Sequence, residues 1–368
     1  MSKNNKEQYV YYGTHTSALE IQNFILHIVK TNELAIKDSK KRKSVCIWGT
    51  HGIGKTELVE KLAKDNGMQF AYIAPAQFEE MGDLLGMPKI IGDKTVFVPP
   101  VWVPTEDVPG ILLLDDVNRA DDRILRGIMQ LLQNYELQSW KLPSRWTIVL
   151  TANPDGGDYS VTSMDDAMIT RMLHVTMQFD VKAWAIWAEK NNVDERGINF
   201  VLTYPELITG ERTTPRSLVQ FFDTIASIKD LKKEFALVQL LASSSLDPIT
   251  SNSFIAFVDN NLSRLISPEE ILNTKNFDKE VKASIENMMQ EHIRLDILAT
   301  VCTRLINYLL AREVKPSAAQ LENIKKFLKL EILPNDLRLS SVQDIVKHPL
   351  LKTIATDPYI TELILLNM

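Results

Sequence analysis

GTHGIGKT, Gly49 to Thr56, is the stretch that most narrows what this chain can fold into. It fits the pattern GxxxxGK[ST] and stands where that pattern requires, between a short apolar run, SVCIW, and a helical run, ELVEKLAKDNG, that ends at Gly67. Glycines at 49, 52 and 54 let the main chain wrap phosphates, so that amide groups and a helix N-terminus face negative charge. The expected cradle is Gly49, Thr50, His51, Gly52, Ile53 and Gly54, with Glu57 just inside the helix. His51 holds a variable loop position and reads as a bystander. Lys55 is expected to neutralise the outer phosphates, and the Thr56 hydroxyl to ligate Mg2+.

The surrounding pattern sets the architecture. TSALEIQNFILHIVK carries Leu19, Ile21, Phe24, Ile25 and Ile28 at helical spacing, behind a Ser17–Glu20 capping box. Strands are expected at SVCIW, QFAYIA, ILLL, RWTIVLTANP and MLHVTMQF, with ILLL and RWTIVLTANP buried. DDRILRGIMQLLQNYEL puts Ile124, Leu125, Ile128, Leu131 and Leu132 on one helical face, capped by Asp121 or Asp122. Strands alternating with helices predict an α/β fold with a parallel five-stranded sheet covered on both faces. The alternation stops near Asp180; helices broken by YPELITGERTTPRS follow, and the last ~140 residues are helical, with breaks at Pro316, Pro334, Pro349 and Pro358.

Two acids, Asp115 and Asp116 in ILLLDDVNRADD, fall at the carboxyl end of a buried strand, where open parallel sheets bind ligands. Asp115 is placed to hold a metal's water shell and Asp116 to polarise an attacking water. TANP ends the next strand with Asn153, whose amide can meet a γ-phosphate and orient a water. Arg171 in DDAMITRM and Arg216 in TTPRSL follow in order.

In this order the motifs resemble AAA+ ATPases, and within them the MoxR-like group that shares a helix-2 insert with dynein, midasin and McrB-type proteins. The resemblance spans residues 44 to about 228 and rests on GTHGIGKT, DLLG, TVFVPPVW, LLLDDVNRA, TANP, DDAMITR and TTPRS. It implies a P-loop domain over 44–180 after an N-terminal helix and basic linker (1–43), with an insert hairpin at about 78–109. A helical lid at 181–228 and a helical C-terminal domain at 229–368 complete the expectation. It further implies ATP with Mg2+ and a homo-oligomeric ring, a hexamer. Arg171 would be the finger reaching a neighbour's γ-phosphate, and Arg216 the lid-borne sensor. Arg119, in the NRA turn, competes for an intersubunit contact. MoxR-like proteins read DEINRA where this chain reads DDVNRA, so the general base, Asp116, is one methylene short.

The resemblance implies an ATPase that remodels a protein partner, of the kind carrying a von Willebrand A domain. Two other readings stay open: a motor subunit of a McrB-like nucleic-acid machine, and a slow, nucleotide-gated assembly scaffold. A net charge of -6 gives no global footprint for nucleic acid, although KDSKKRK, Lys37 to Lys43, is locally basic and reads as a solvated linker or a polyanion contact. No apolar run in the 368 residues approaches the ~20 needed for a membrane span, so a cytoplasmic protein is expected. Its two cysteines, Cys46 and Cys302, sit in separate apolar runs, as reduced core residues do.

Overall fold

Side chains that alternate along five strands create two apolar faces, and the sheet between them carries the site. The computed structural model describes residues 10–154, 161–209, 212–259, 265–288, 295–311, 314–347, 351, 358, 360 and 361. The chain divides into two compact units, Met1–Phe179 and Asp180–Met368. The amino terminus before Val10, Gly210 and Glu211 of the YPELITGERTTPRS interruption, Glu291–Arg294 of the long C-terminal helical run, and the break at Pro349 lie outside the described residues.

The first unit runs β1 (Thr14–Thr16), α1 (Ala18–Lys37), β2 (Ser44–Trp48), α2 (Lys55–Asp65), β3 (Gln69–Ile73), α3 (Met81–Leu85), β4 (Met87–Ile91) and β5 (Lys94–Val98). It continues through β6 (Gly110–Leu114), α4 (Asp122–Asn134), β7 (Glu136–Leu137), β8 (Trp140–Lys141), β9 (Trp146–Ala152), α5 (Asp166–Ile169) and β10 (Met172–Met177). Its sheet has six strands, not five, in the order β1-β10-β2-β9-β6-β3, and every pairing in it is parallel. The additional strand is β1, three mostly exposed residues, THT, that pair with Val175–Met177 along the edge. So short a polar run carries no periodic apolar signal, and its partner alone makes it a strand.

Successive side chains of a strand point to opposite faces. Val45, Ile47, Ile111, Leu113 and Val149 therefore pack under Ile21, Ile25 and Ile28 of α1 and Leu58, Val59 and Leu62 of α2. Cys46, Trp48, Leu112, Leu114, Ile148 and Leu150 face the other way, onto Ile124, Ile128 and Leu131 of α4. α4 ends earlier than its periodicity predicts, because Tyr135 turns left-handed at φ 57 and leads into the small β7–β8 hairpin. The segment between β3 and β6 forms an antiparallel hairpin, β4 with β5, on which Met87, Ile90 and Ile91 are exposed.

The basic run is not simply a solvated linker. Arg42 Nη1 donates to the carbonyls of Pro143 (2.8 Å), Ser144 (3.0 Å) and Trp146 (3.0 Å), and its guanidinium lies 3.9 Å above the Tyr135 ring. Buried Asn32 fixes the next residue, its Oδ1 accepting from Lys43 N (2.7 Å) and its Nδ2 donating to Lys43 O (2.9 Å). Together they set the register in which the chain enters β2.

The second unit is helical: α6 (Val181–Lys190), α7 (Glu195–Thr203), α8 (Pro215–Ile225), α9 (Phe235–Ser245), α10 (Pro248–Asp259), α11 (Pro268–Asn273), α12 (Ala283–Met288), α13 (Leu295–Ala311), α14 (Ala318–Leu328) and α15 (Asn335–Lys347). Phe200, Phe221, Phe222, Phe254 and Phe257 form its aromatic core. On α13, buried Arg304 bonds Glu189 (3.3 Å) and Asn199 Oδ1 (3.0 Å), which ties α13 to α6 and α7. Each unit holds one cysteine, both free and buried; burial pushes the Cys46 thiol far up and that of Cys302 to about 12. Among the described residues no helix is long and apolar enough to cross a membrane.

Asn32→Ala is expected to destabilise the first unit by about 2 kcal/mol, since the Lys43 amide and the buried Thr147 hydroxyl lose their bonds to it. Urea unfolding should show this as a lower midpoint with an unchanged slope.

Candidate functional site

The site lies where β2, β9 and β6 end side by side. Trp48 pairs with Ala152, and Leu114 with Leu150, so the Gly49–Thr56 loop, Asn153 and the Asp115–Asp116 turn emerge from neighbouring strands at one edge. Gly52 and Gly54 hold φ of 71 and 92, which side-chain-bearing residues rarely adopt. Gly54 then caps α2, putting Lys55, Thr56 and Glu57 in its first turn, where the unpaired amides of a helix start attract anions. His51 and Glu57 are exposed.

Lys55 is buried, and its ammonium bonds Gly49 O (2.7 Å), Thr50 O (3.0 Å) and Asn153 Oδ1 (3.2 Å). The loop lysine and the predicted sensor amide are thus in direct contact. The Asn153 Nδ2 donates in turn to Asp116 Oδ1 at 3.0 Å. Asp115 Oδ1 accepts from Thr56 Oγ1 (2.8 Å) and Thr151 Oγ1 (2.6 Å), while Oδ2 accepts from Tyr72 Oη (3.2 Å). Lys55, Thr56, Asp115, Asp116 and Asn153, widely spaced in sequence, are therefore linked by hydrogen bonds into one network.

Asp116 is left-handed, with φ 46 and ψ 44. Most L residues lose about 1–2 kcal/mol there, but Asp and Asn tolerate it because a short polar side chain can bond locally. Its amide donates to Thr151 Oγ1 at 2.8 Å, its carbonyl accepts from Arg119 N at 2.9 Å, and its carboxylate pairs with Arg119 Nε at 3.3 Å. Arg119, a candidate for an intersubunit contact from sequence, therefore bonds the second acid within its own chain.

Arg171 is placed quite differently. It directly precedes Met172, which pairs with Ser44 at the start of β2. Five strand residues separate that position from Gly49, about 16 Å at the usual rise. Arg171 thus stands at the opposite edge of the sheet from the Gly49–Thr56 loop. There it contacts Ala167 O, and Gln133 Oε1 at 3.4 Å. Arg216 is exposed in the first turn of α8, in the second unit, behind a Thr214–Ser217 capping box.

The Thr56 hydroxyl and the Asp115 carboxylate are hard oxygen donors, and their 2.8 Å bond uses the Thr56 proton while leaving its lone pairs to a ligand. Such a pair suits Mg2+, which takes one or two protein oxygens and completes its shell with water and phosphate. Among the described residues no group of three or more His, Cys, Asp or Glu could cage a metal. Three contributors were not singled out from sequence: Tyr72, Thr151 and Asn118. Asn118 is buried and clamps the Asn153 backbone with two bonds, Nδ2 to Asn153 O (2.8 Å) and Oδ1 from Asn153 N (3.1 Å). Its only sequence signal was an amide inside an acidic turn.

Residues 44–172 match the family described as AAA domain (dynein-related subfamily). A curated relative, the bovine ATPase family AAA domain-containing protein 3, is 25% identical over 154 residues, which cover 39% of this chain and 25% of that protein. The chain thus matches only a quarter of that relative's length. Similar solved structures include Hsp104 in a closed state with ATPγS and FITC casein, at 14% identity and a TM-score of 0.38, covering 60% of this chain and 46% of that one. The Thermotoga maritima RuvB Holliday junction branch migration motor is similar at 14% identity and a TM-score of 0.36, covering 71% of this chain and 76% of that one. The family match falls within the first unit, with its all-parallel six-stranded sheet, and a helical unit follows it in sequence.

Asn118→Ala should leave the buried amide and carbonyl of Asn153 unpaired, at a cost of about 2–3 kcal/mol. Amide hydrogen exchange at Asn153 should accelerate accordingly, and unchanged protection there would show that the clamp is not what holds the strand end.

Proposed function

We propose that this chain is a Mg2+-dependent ATPase of the MoxR-like AAA+ group, working in a homo-oligomeric ring, a hexamer, to remodel or assemble a protein partner. The observation that carries the reading is the continuous network Thr56–Asp115–Thr151–Asp116–Asn153–Lys55 at one edge of the sheet. Its members are of the types that phosphoryl transfer to water requires. The amides of residues 49–54 and the Lys55 ammonium bind the phosphates; Thr56 and Asp115 hold Mg2+, which when bound offsets charge on the phosphate oxygens. Asp116 polarises the attacking water, and Asn153, already bonded to Asp116, orients that water against the γ-phosphate.

Arg171 supports action between subunits. It stands about 16 Å along the strands from the loop of its own chain, so it serves the phosphates of a neighbouring one. Arg216 is assigned to the lid, 181–228, as its sensor, with 229–368 as a further helical domain. The ATPase description of the bovine relative agrees with this reading. A partner with a von Willebrand A domain is the kind the resemblance implies.

The short base is compatible with turnover. A carboxylate drawn back by one bond, about 1.5 Å, would cost on the order of 100-fold if nothing compensated. The left-handed turn at Asp116 reorients that carboxylate to Asn153 at 3.0 Å, within normal bonding distance. A McrB-like nucleic-acid motor is the second reading, favoured by the exposed Lys89 and Lys94 of the β4–β5 hairpin; strongly salt-dependent, DNA-stimulated turnover would support it. The scaffold reading rests on Asp116 alone.

Asp116→Asn should abolish hydrolysis while ATP binding persists, and unchanged turnover would remove Asp116 from its role. Asp116→Glu should keep turnover but lower stability by about 1 kcal/mol, because Glu lacks the short side chain that eases the left-handed turn. Arg171→Ala should be inactive alone and regain hydrolysis when mixed with Asp116→Asn subunits. Failure of that mixture to recover would mean the arginine does not act across a subunit boundary.

A further inference from the structure

The hydroxyl of Thr151 contacts both acids of the ILLLDD strand end, and neither the phosphate loop nor the Asn153 role accounts for it. Thr151 is fully buried as the next-to-last residue of β9, where it pairs with Ile47 of β2 on one side and adjoins the acidic turn after β6 on the other. Its Oγ1 donates to Asp115 Oδ1 at 2.6 Å and accepts from the Asp116 amide at 2.8 Å. A threonine hydroxyl has one proton and two lone pairs, so both bonds can be made at once and each polarises the other.

We propose that Thr151 is a positioning residue that holds the metal-binding carboxylate of Asp115 and the left-handed backbone of Asp116 in one fixed relation. The proposal rests on the reading above that this site takes Mg2+-nucleotide. Two physical effects follow from the hydroxyl. Groups that hydrogen-bond a metal-ligating carboxylate orient it and tune its affinity, and losing one typically costs about 10–100-fold in metal binding. Backbone held at φ 46 persists only where its surroundings constrain it, and here the Asp116 amide is fastened by Thr151 and its carbonyl by Arg119 N. Without the hydroxyl, Asp115 keeps Thr56 and Tyr72 as donors, but the link from its carboxylate to the Asp116 turn is gone.

Thr151→Val keeps the shape and removes the hydroxyl. The decisive measurement is the affinity of the full-length chain for a fluorescent ATP analogue, with and without Mg2+, together with kcat and KM. Binding without Mg2+ should match wild type. The free Mg2+ that gives the half-maximal gain in affinity should rise about 10–100-fold, and kcat should fall while KM at saturating Mg2+ changes little. Thr151→Ser should restore both the Mg2+ response and kcat. A purely structural threonine would lower the melting temperature of Thr151→Val without moving its Mg2+ response, and that result overturns the proposal. If Thr151→Val does not fold, Thr151→Ala takes the same measurement. A wild-type chain that binds no nucleotide, or binds it without regard to Mg2+, overturns the reading of the site itself. A normal wild-type response with an unaltered variant overturns only the role given to Thr151.

Discussion

Parallel pairing of β2, β9 and β6 in one register is the constraint on which the rest of the first unit depends. Trp48 beside Ala152 and Leu114 beside Leu150 bring three chain segments to one edge, where a loop, an amide and two acids emerge. A slip of one residue in β9 would turn its side chains to the other face, taking Thr151 from Asp115 and Ile148 and Leu150 from α4. Core packing and site geometry are therefore fixed by the same choice. That coupling explains why the strand ends can be polar although the strands themselves are buried throughout.

Within this frame the shortened acid has its own local logic. Asp116 opens a tight turn in which its backbone is left-handed, and Asp is one of the few residues with a side chain suited to that conformation. The methylene absent from the side chain is matched by a backbone that redirects the carboxylate toward Asn153 and Arg119. A longer acid in the same turn would reach farther but sit in a less favourable conformation. The residue type and the turn are thus better understood together than as a loss relative to DEINRA.

Much of this is legible in the sequence, because the GxxxxGK[ST] pattern ties particular residue types to fixed spacing between a strand and a helix. The sequence motifs point to Lys55, Thr56, Asp115, Asp116 and Asn153, and these residues meet in one network. Residues whose partners are set by register were not legible: Asn118, Tyr72 and Thr151 are ordinary polar residues until the strands align. The sixth strand is not legible because three polar residues have no apolar period. Arg42 looked like one charge in a basic run, since the carbonyls that capture it lie about a hundred residues away in sequence and leave no pattern. Arg119 reads as available to a neighbour for a different reason: its partner, Asp116, is only three residues away, and the left-handed turn that joins them leaves no period in the sequence.

The placement of the two cysteines has a practical meaning. Cys46 lies in the central strand β2 and Cys302 in α13, one in the core of each unit, and burial holds both as unreactive thiols. A thiol reagent meets each sulfur only when the surrounding core opens. The chain therefore carries two native clocks, one for each unit. Their separate labelling rates distinguish a motion confined to the helical unit from one that loosens the sheet, with no introduced probe.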